Sequence, residues 1–545
     1  MKTILEKILL KDIFKFVSIL LIPLFVISCE SDILDETPLS QLNPDIVLSS
    51  PSGFENYLVG LYYSSRRECE NDFWHHYANF VGTDIADDAG AEYFTFRNWV
   101  SYLTPTENGV NLKWNWAYGE ILPQANTIIS YANNPELDGI WENIEQKNRI
   151  IAEARFFRGY TYNFLANLWG GVPIVDTLLQ QARFDFVRAS RTDVLEFARR
   201  DLEFASTWLP TTAKDGKLVK AAADHLLSEV YISLGMYDSA IESASRVIDS
   251  GLYKLMTERF GSQKDIPGDV FSDLFRDNNH NRSSGNLESI FVWQIEEYGE
   301  GIGINQYIRN WGPFLVKISS PDGFPNLPTD TLGRGVGRVR PSPYLIYTIW
   351  NSDVNNTDIR NSQYNWRRTF YYNNPKSSYY GQPFVKLTAR EDTMRSCYPY
   401  PRKVESWGKP YQGNPSSGRT SLDIYVYRLA ETYLLRAEAF IRKGDLVNAA
   451  NDINVVRSRA KAAPVTASEV NIDYILDERA RELVAEEPRR RTLVRMGKLV
   501  ERVRKYGLMQ SSRESIQDYH EFWPIPQSAI DGNLGIKLEQ NPGYK

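Results

Sequence analysis

Two stretches of this chain repeat one helix–turn–helix grammar, and that repetition restricts its fold more than any other feature. Ala222 to Asp249 reads as a helix, the turn Leu234-Gly235-Met236-Tyr237, and a second helix carrying Ala240, Ala244 and Val247. Arg428 to Arg459 repeats it, with a turn at Gly444-Asp445 and a second helix carrying Ala449, Ile453 and Val456. Small residues where two helices cross closely, with glycine in the turn, are the tetratricopeptide design. Asn148 to Leu168 adds a one-faced helix through Ile151, Ala154, Phe157, Phe164 and Leu168, stopped by Gly170, Gly171 and Pro173. Thr192 to Trp208 repeats the pattern with Val194, Leu195, Ala198, Leu202 and Ala205. The expectation is an all-α, mainly helical fold built from helical pairs. Two clear units do not by themselves make a solenoid.

Between these pairs the character changes. Phe260 to Tyr425 is rich in Gly, Pro, Asn, Ser and aromatics, without a sustained helical period. It holds a strand-like run, Ser289 to Ile295, and loops such as Gly299 to Gly303. A long irregular stretch in a compact protein is usually functional unless disordered, and this one is too aromatic for disorder. It is expected to form a loop-rich lobe over the helices.

The amino end sets the compartment. Lys2, Lys7, Lys11 and Lys15 precede an apolar run from Phe16 to Ile27. A run of about 12 residues is short for a membrane span and suits a secretory leader. The leader ends at Val26-Ile27-Ser28-Cys29, which looks like a bacterial lipobox, so residues 1–28 are expected to be removed and Cys29 to be acylated. Several acyl chains make a stable anchor where one does not. Glu30 and Asp32 resemble the acidic signal that sends lipoproteins to the outer face of the outer membrane. The chain carries 62 Lys+Arg against 68 Asp+Glu, and losing the leader moves its net charge from -6 to about -8. That balance, without basic runs, argues against nucleic acid as a partner. Cys69 and Cys397 are the remaining cysteines, and spacing leaves their pairing open.

Several motifs then occur in one order. Cys29 leads to Leu34-Asp35-Glu36-Thr37-Pro38; Gly60-Leu61-Tyr62 follows, then Trp114, Trp116 and Tyr118 with Ala125-Asn126. Ala152-Glu-Ala-Arg-Phe-Phe-Arg-Gly-Tyr160 runs on to Gly170-Gly-Val-Pro173, and Asn286-Leu-Glu-Ser-Ile-Phe291 precedes Asp358-Ile-Arg360. Leu429 to Arg459 is followed at the carboxyl end by Trp523-Pro-Ile-Pro-Gln527 and Gln540-Asn-Pro-Gly-Tyr544. From Cys29 onward this series resembles the SusD/RagB family of outer-membrane nutrient-binding lipoproteins. It departs at Glu486-Glu-Pro-Arg-Arg-Arg-Thr-Leu493, where the family usually has Glu-Gly-x-Arg-x-x-Asp-Leu. The resemblance implies a SusD-like fold with four tetratricopeptide-like pairs and a loop-rich ligand lobe, divided here at 29–260 and 261–545. It further implies a lid on a SusC-like TonB-dependent outer-membrane transporter, a glycan ligand, no cofactor and no bond-breaking activity. Some members bind peptides, so a RagB-like peptide receptor is the second reading, and a surface glycoside hydrolase the third.

A sugar ring presents C–H faces edged by hydroxyls, which flat aromatic rings and neighbouring polar groups match, and aromatic side chains cost little to order. Two regions offer such rings: Phe73 to Trp99 and Trp293 to Phe314. The expected platform is Trp74, Phe96, Trp99, Tyr298, Tyr307 and Trp311, with Asp84, Asn98, Asn305, Arg309 and Asn310 as polar partners. Burial in the core is the alternative for every one of these rings. A third cluster, Trp366, Tyr371, Tyr372, Tyr379 and Tyr380, suits either the ligand or the channel interface. No catalytic motif is found. Gly299 to Gly303 and Gly333 to Gly337 each read Gly-x-Gly-x-Gly but open no recognisable helix after a strand. His520-Glu521 lacks its second histidine, because Pro524 stands in its place. Asp84, Asp87 and Asp88 are expected to form a solvated acidic loop rather than a metal site, and no metal is expected.

Overall fold

The computed structural model describes residues 43–70, 73–89, 94–298, 303–350, 357–385, 387, 389 and 392–544. It divides into Met1–Val47 and Leu48–Lys545. In the first unit, Pro44–Val47 forms one helical turn. Everything below concerns the second.

The helical pairs form where the apolar period places them. The scaffold helices are α1 (Leu122–Ala132), α2 (Ile144–Ala166), α3 (Arg191–Trp208), α4 (Lys220–Ser233), α5 (Tyr237–Ile248), α6 (Leu429–Lys443), α7 (Leu446–Arg459) and α8 (Ile472–Leu483). Each of α1 to α6 packs on the next, and α6 also packs on α7 and α8. Their starts carry side-chain caps: Asn143 accepts from the Gln146 amide, Ser190 from Asp193 and Asp445 from Asn448. Gly444 ends α6 in the left-handed region (φ 86°), where a side chain would be strained. Gly159 lets α2 and α3 cross closely, since a Cβ there would lie 3.1 Å from the Ala198 carbonyl oxygen.

The lobe between α5 and α6 is irregular, as its composition implied. Among the described residues its strands form three separate antiparallel pairs, one of them with a strand from ahead of α1: β1 (Ala86–Asp88) with β3 (Val339–Pro341), β2 (Ser289–Trp293) with β6 (Ile424–Arg428), and β4 (Trp366–Arg367) with β5 (Tyr400–Pro401). One apolar cluster runs from Leu48 to Leu538 and draws on both 29–260 and 261–545.

Buried ion pairs fasten lobe to helices, and they account for several of the motifs. Arg428 donates to Glu482 (2.6 Å) and Glu486 (2.6 Å), and Arg459 to Glu288 and Glu482. Arg360 of the Asp358-Ile-Arg360 motif is gripped by Asp358 (2.7 Å) and reaches Glu478 (2.8 Å) on α8. Glu431 pairs with Arg479 and Glu438 with Arg495. At the carboxyl end, the Trp523 amide donates to the Leu168 carbonyl (2.7 Å), and the Asn541 amide group to the Trp169 and Trp523 carbonyls. The ending is thus a clamp across the foot of α2.

Candidate functional site

The two aromatic regions meet, but through the core. The Trp311 indole N–H donates to His76 Nε2 (2.8 Å), and the Tyr307 ring lies 4.1 Å from the His76 imidazole. Burial pushes His76 down to about 3, so it accepts this bond as a neutral ring. Trp311 is fully buried. Tyr307 is half-buried, and burial raises its phenol, with the Cys69 and Glu68 charges adding to the rise.

Phe96 and Trp99 are also fully buried. The Trp99 indole donates to Ser512 Oγ (3.0 Å), and the Arg490 guanidinium lies 3.8 Å from the Phe96 ring centre and 5.0 Å from that of Trp99. Arg490 donates to the Ala78 and Val81 carbonyls, and burial lowers it to about 9. The expectation of an outward platform at Phe96, Trp99 and Trp311 is therefore corrected. With apolar and cationic neighbours inside, hydrophobic burial outweighs presentation of these rings. The departure motif supplies that interior cation. Its neighbour Arg489 binds Asp84 (2.7 Å), and Arg491 binds Glu68 (3.2 Å).

Among the expected polar partners, Asp84 is fully buried between Arg489 (2.7 Å) and Arg502 (2.7 Å). Burial alone would raise its carboxyl, but the two guanidiniums outweigh that and hold it at about 2. Asp88 pairs with Arg97 (2.5 Å), and Asp87 accepts from the Met509 amide (3.0 Å). The acidic loop is interior structure, not a solvated loop: arginines match Asp84 and Asp88, and burial pushes the Asp87 carboxyl up to about 7. Asn98 caps the helical turn Trp99–Tyr102 by accepting from the Ser101 amide (3.1 Å). Asn305 is buried, bonding the Leu422 carbonyl (3.1 Å) and the Tyr307 amide (2.9 Å). Asn310 is fully buried, with its backbone carbonyl accepting from Arg338 (2.9 Å). Asp84, Asn305 and Asn310 offer no surface to a ligand.

What faces outward is different. Phe94 (48% exposed) and Tyr102 (46%) form a ring pair 6.0 Å apart, flanked by Arg97. Tyr298 is 71% exposed, next to Glu297, which accepts from Ser421 (2.5 Å) and from the Gln412 amide (3.4 Å). In the third cluster Trp366 and Tyr372 are buried, whereas Tyr371 and Tyr380 are exposed. The Trp74 side chain, Tyr93 and Cys29 lie outside the described residues. Cys69 and Cys397 are both free thiols.

Arg309, one of the expected polar partners, is half-buried and donates to the Ser417 carbonyl (3.0 Å). The sequence reading missed a cationic group at the half-buried Phe314 ring, where Lys317 Nζ (5.6 Å) and the guanidiniums of Arg334 (5.4 Å) and Arg395 (5.3 Å) gather. The Gly333 to Gly337 run was the available signal. A Cβ at Gly335 would lie 2.2 Å from the Gly312 carbonyl oxygen, and one at Gly337 2.4 Å from that of Arg395. These glycines serve close backbone packing that brings Arg334 beside Phe314.

A cavity of about 490 Å³, mostly apolar, lies elsewhere, between Trp114, Tyr118, Val175, Leu179, Phe186 and Leu538. A hydroxyl-rich polymer would lose water there with little to replace it. The outward rings are the better candidate site.

A stack of helical pairs carrying a loop-built lobe with exposed rings defines a class of binding scaffold, and the comparisons agree on its family. The SusD family profile matches residues 287–544, and a profile described as starch-binding associating with outer membrane matches residues 32–232. The chain belongs to the SusD/RagB family. A SusD-like protein of Formosa agariphila is 26% identical, covering 97% of this chain and 99% of that protein. The starch-binding protein SusD of Bacteroides thetaiotaomicron is 27% identical, covering 79% and 83%. Among solved structures, a SusD superfamily protein from Bacteroides vulgatus superposes with a TM-score of 0.69 at 19% identity, over 91% of this chain and all of that one. Surface glycan-binding protein A of Bacteroides thetaiotaomicron, solved with laminarihexaose, gives 0.67 at 19%, over 90% and 99%. These structures share the fold.

Proposed function

We propose that this chain is a cell-surface glycan-binding lipoprotein, anchored through Cys29, that delivers its ligand to a SusC-like TonB-dependent outer-membrane transporter without cleaving it. The observation that carries the reading is the outward aromatic pair Phe94–Tyr102 on a scaffold of this family. Exposed rings cost solvation unless a partner covers them, and a sugar's C–H face is such a partner. Tyr298, Tyr371 and Tyr380 are further exposed rings. The starch, glycan and laminarihexaose named for relatives support a carbohydrate over a peptide.

The test is affinity electrophoresis through gels containing single polysaccharides, with the chain from Cys29 and its Phe94→Ala/Tyr102→Ala and Tyr298→Ala variants. A polysaccharide that retards the native chain should do so about tenfold less well in at least one variant, with melting temperature unchanged, as for exposed contact rings. Equal retardation of all three forms would reject these rings. Release of oligosaccharides would reject the non-catalytic reading.

A further inference from the structure

We infer that Tyr298 and the hairpin 410–420 form one sugar subsite, in which Gln412 reads hydroxyls beside the ring and Glu297 is the positioning residue; this rests on the glycan reading and deepens it. Two loops meet there. The one carrying Tyr298 is closed by the Gly303 amide, which donates to the Glu296 carbonyl (3.0 Å). The other is a narrow hairpin: Pro410 pairs with Thr420, and the Tyr411 amide donates to the Arg419 carbonyl (2.9 Å). Asn305 and Thr420 exchange both backbone bonds (3.0 and 2.9 Å), so the two loops share one base.

Glu297 joins them a second time. Its carboxylate accepts from the Ser421 hydroxyl (2.5 Å) and the Gln412 amide (3.4 Å), and the Tyr411 hydroxyl lies 3.5 Å from its backbone carbonyl oxygen. Arg309 ties the hairpin to the helical turn Tyr307–Trp311 through the Ser417 carbonyl (3.0 Å). Tyr298 directly follows Glu297, and Gln412 is bonded to it; both side chains are exposed. A ring and an amide are therefore held on either side of one carboxylate clasp.

The backbone at Gln412 gives an independent reason to ask what its side chain does. Among the described residues five non-glycines take a positive φ: Asn278, Trp407, Gln412, Lys461 and Ala485. Trp407 and Ala485 are buried, Lys461 stands one past the α7 C-cap, and asparagine tolerates this region. Gln412 (φ 52°) is exposed and has none of these reasons. Its turn serves the bond to Glu297, which a glycine would make without strain, as the next residue, Gly413, shows (φ 66°). A side chain kept at a strained, exposed position points to a use outside the fold. Among the described residues, the Gln412 side-chain amide makes no hydrogen bond within the protein.

The chemistry fits a sugar. A hydroxyl both donates and accepts, and the glutamine amide supplies an N–H₂ donor and a carbonyl acceptor without a charge to desolvate. The Tyr298 ring covers the C–H face of the same unit.

The experiment places the chain from Cys29 in affinity gels containing starch, laminarin, galactomannan or polygalacturonate. Calorimetry then follows, at low and raised salt, on whichever polysaccharide retards it. Gln412→Gly removes the side chain where glycine is unstrained, so melting temperature should hold or rise while binding weakens about fivefold, equally at both salt levels. Glu297→Ala should weaken binding by a similar factor. Glu297→Gln, which keeps an acceptor oxygen for Ser421 and Gln412, should recover most of that loss. Parental affinity in Gln412→Gly would overturn the inference and leave the glycan reading standing on the polysaccharide still bound. A Gln412→Gly loss that vanishes at raised salt would overturn it too, as would Glu297→Gln binding as weakly as Glu297→Ala. Retardation by none of the four polysaccharides would remove the glycan reading with it.

Discussion

Replacing Asp84 by alanine would remove the buried carboxylate that two interior guanidiniums share, leaving Arg489 with Glu487 and Arg502 with Asp473 and Asp477. In the folded chain Asp84 accepts three charge-assisted bonds: from Arg489 Nε (2.9 Å) and Nη2 (2.7 Å), and from Arg502 Nε (2.7 Å). All three residues are buried. Removing one partner of a buried pair costs about 3–5 kcal/mol, because the remaining charge stays out of water. The pH dependence gives an independent measure. Folding lowers the carboxyl from 3.8 to about 2, equivalent to about 2 kcal/mol. For an acid with a depressed folded value, that stability is complete above the unfolded value and disappears as pH falls through the folded one. Urea unfolding followed by circular dichroism at several pH values between about 7 and 2 should therefore show two things. Asp84→Ala should be about 3–5 kcal/mol less stable than the parent at neutral pH, and the gap should narrow by about 2 kcal/mol between about pH 4 and pH 2. A gap below about 1 kcal/mol, or one independent of pH, would refute the account of Asp84 as the interior anchor of Arg489 and Arg502.

Trp99→Ala should cost about 3–5 kcal/mol, because it empties a fully buried site and orphans Ser512; loss of glycan binding with unchanged urea stability would return Trp99 to the ligand surface. Glu521 is pushed by burial up to about 7, against the pull of Arg191, so the folded chain holds its proton longer than the unfolded chain. Stability from this group then falls as pH rises from about 4.5 to 7. Glu521→Gln should gain on the order of 2 kcal/mol over the parent at pH 8 compared with pH 4, and equal differences at the two pH values would contradict the assignment.

The helical scaffold was legible because its information is local and periodic. Apolar residues three and four apart, such as Ile151, Ala154 and Phe157, announce a helix before any partner is known, although α2 buries nearly every side chain from Ile150 to Ala166 and not one face. Gly444 announces the end of α6. The loop lobe was legible only as composition. The placement of individual rings was not, for a definite physical reason. Phe94 and Phe96 stand two apart in a turn where the Arg97 amide bonds the Phe94 carbonyl (2.9 Å), and no period tells which ring goes inward. That choice is made by Arg490, about 390 positions away in the sequence, whose guanidinium needs ring faces inside. Asp84 was misread for the same reason, since Arg489 and Arg502 are the residues that make its charge an interior one. The rule that follows is particular to this scaffold. Its lobe is organised by arginines from the carboxyl-terminal helices, so rings and acids that meet those arginines become structure. Phe94, Tyr102 and Tyr298 face water instead.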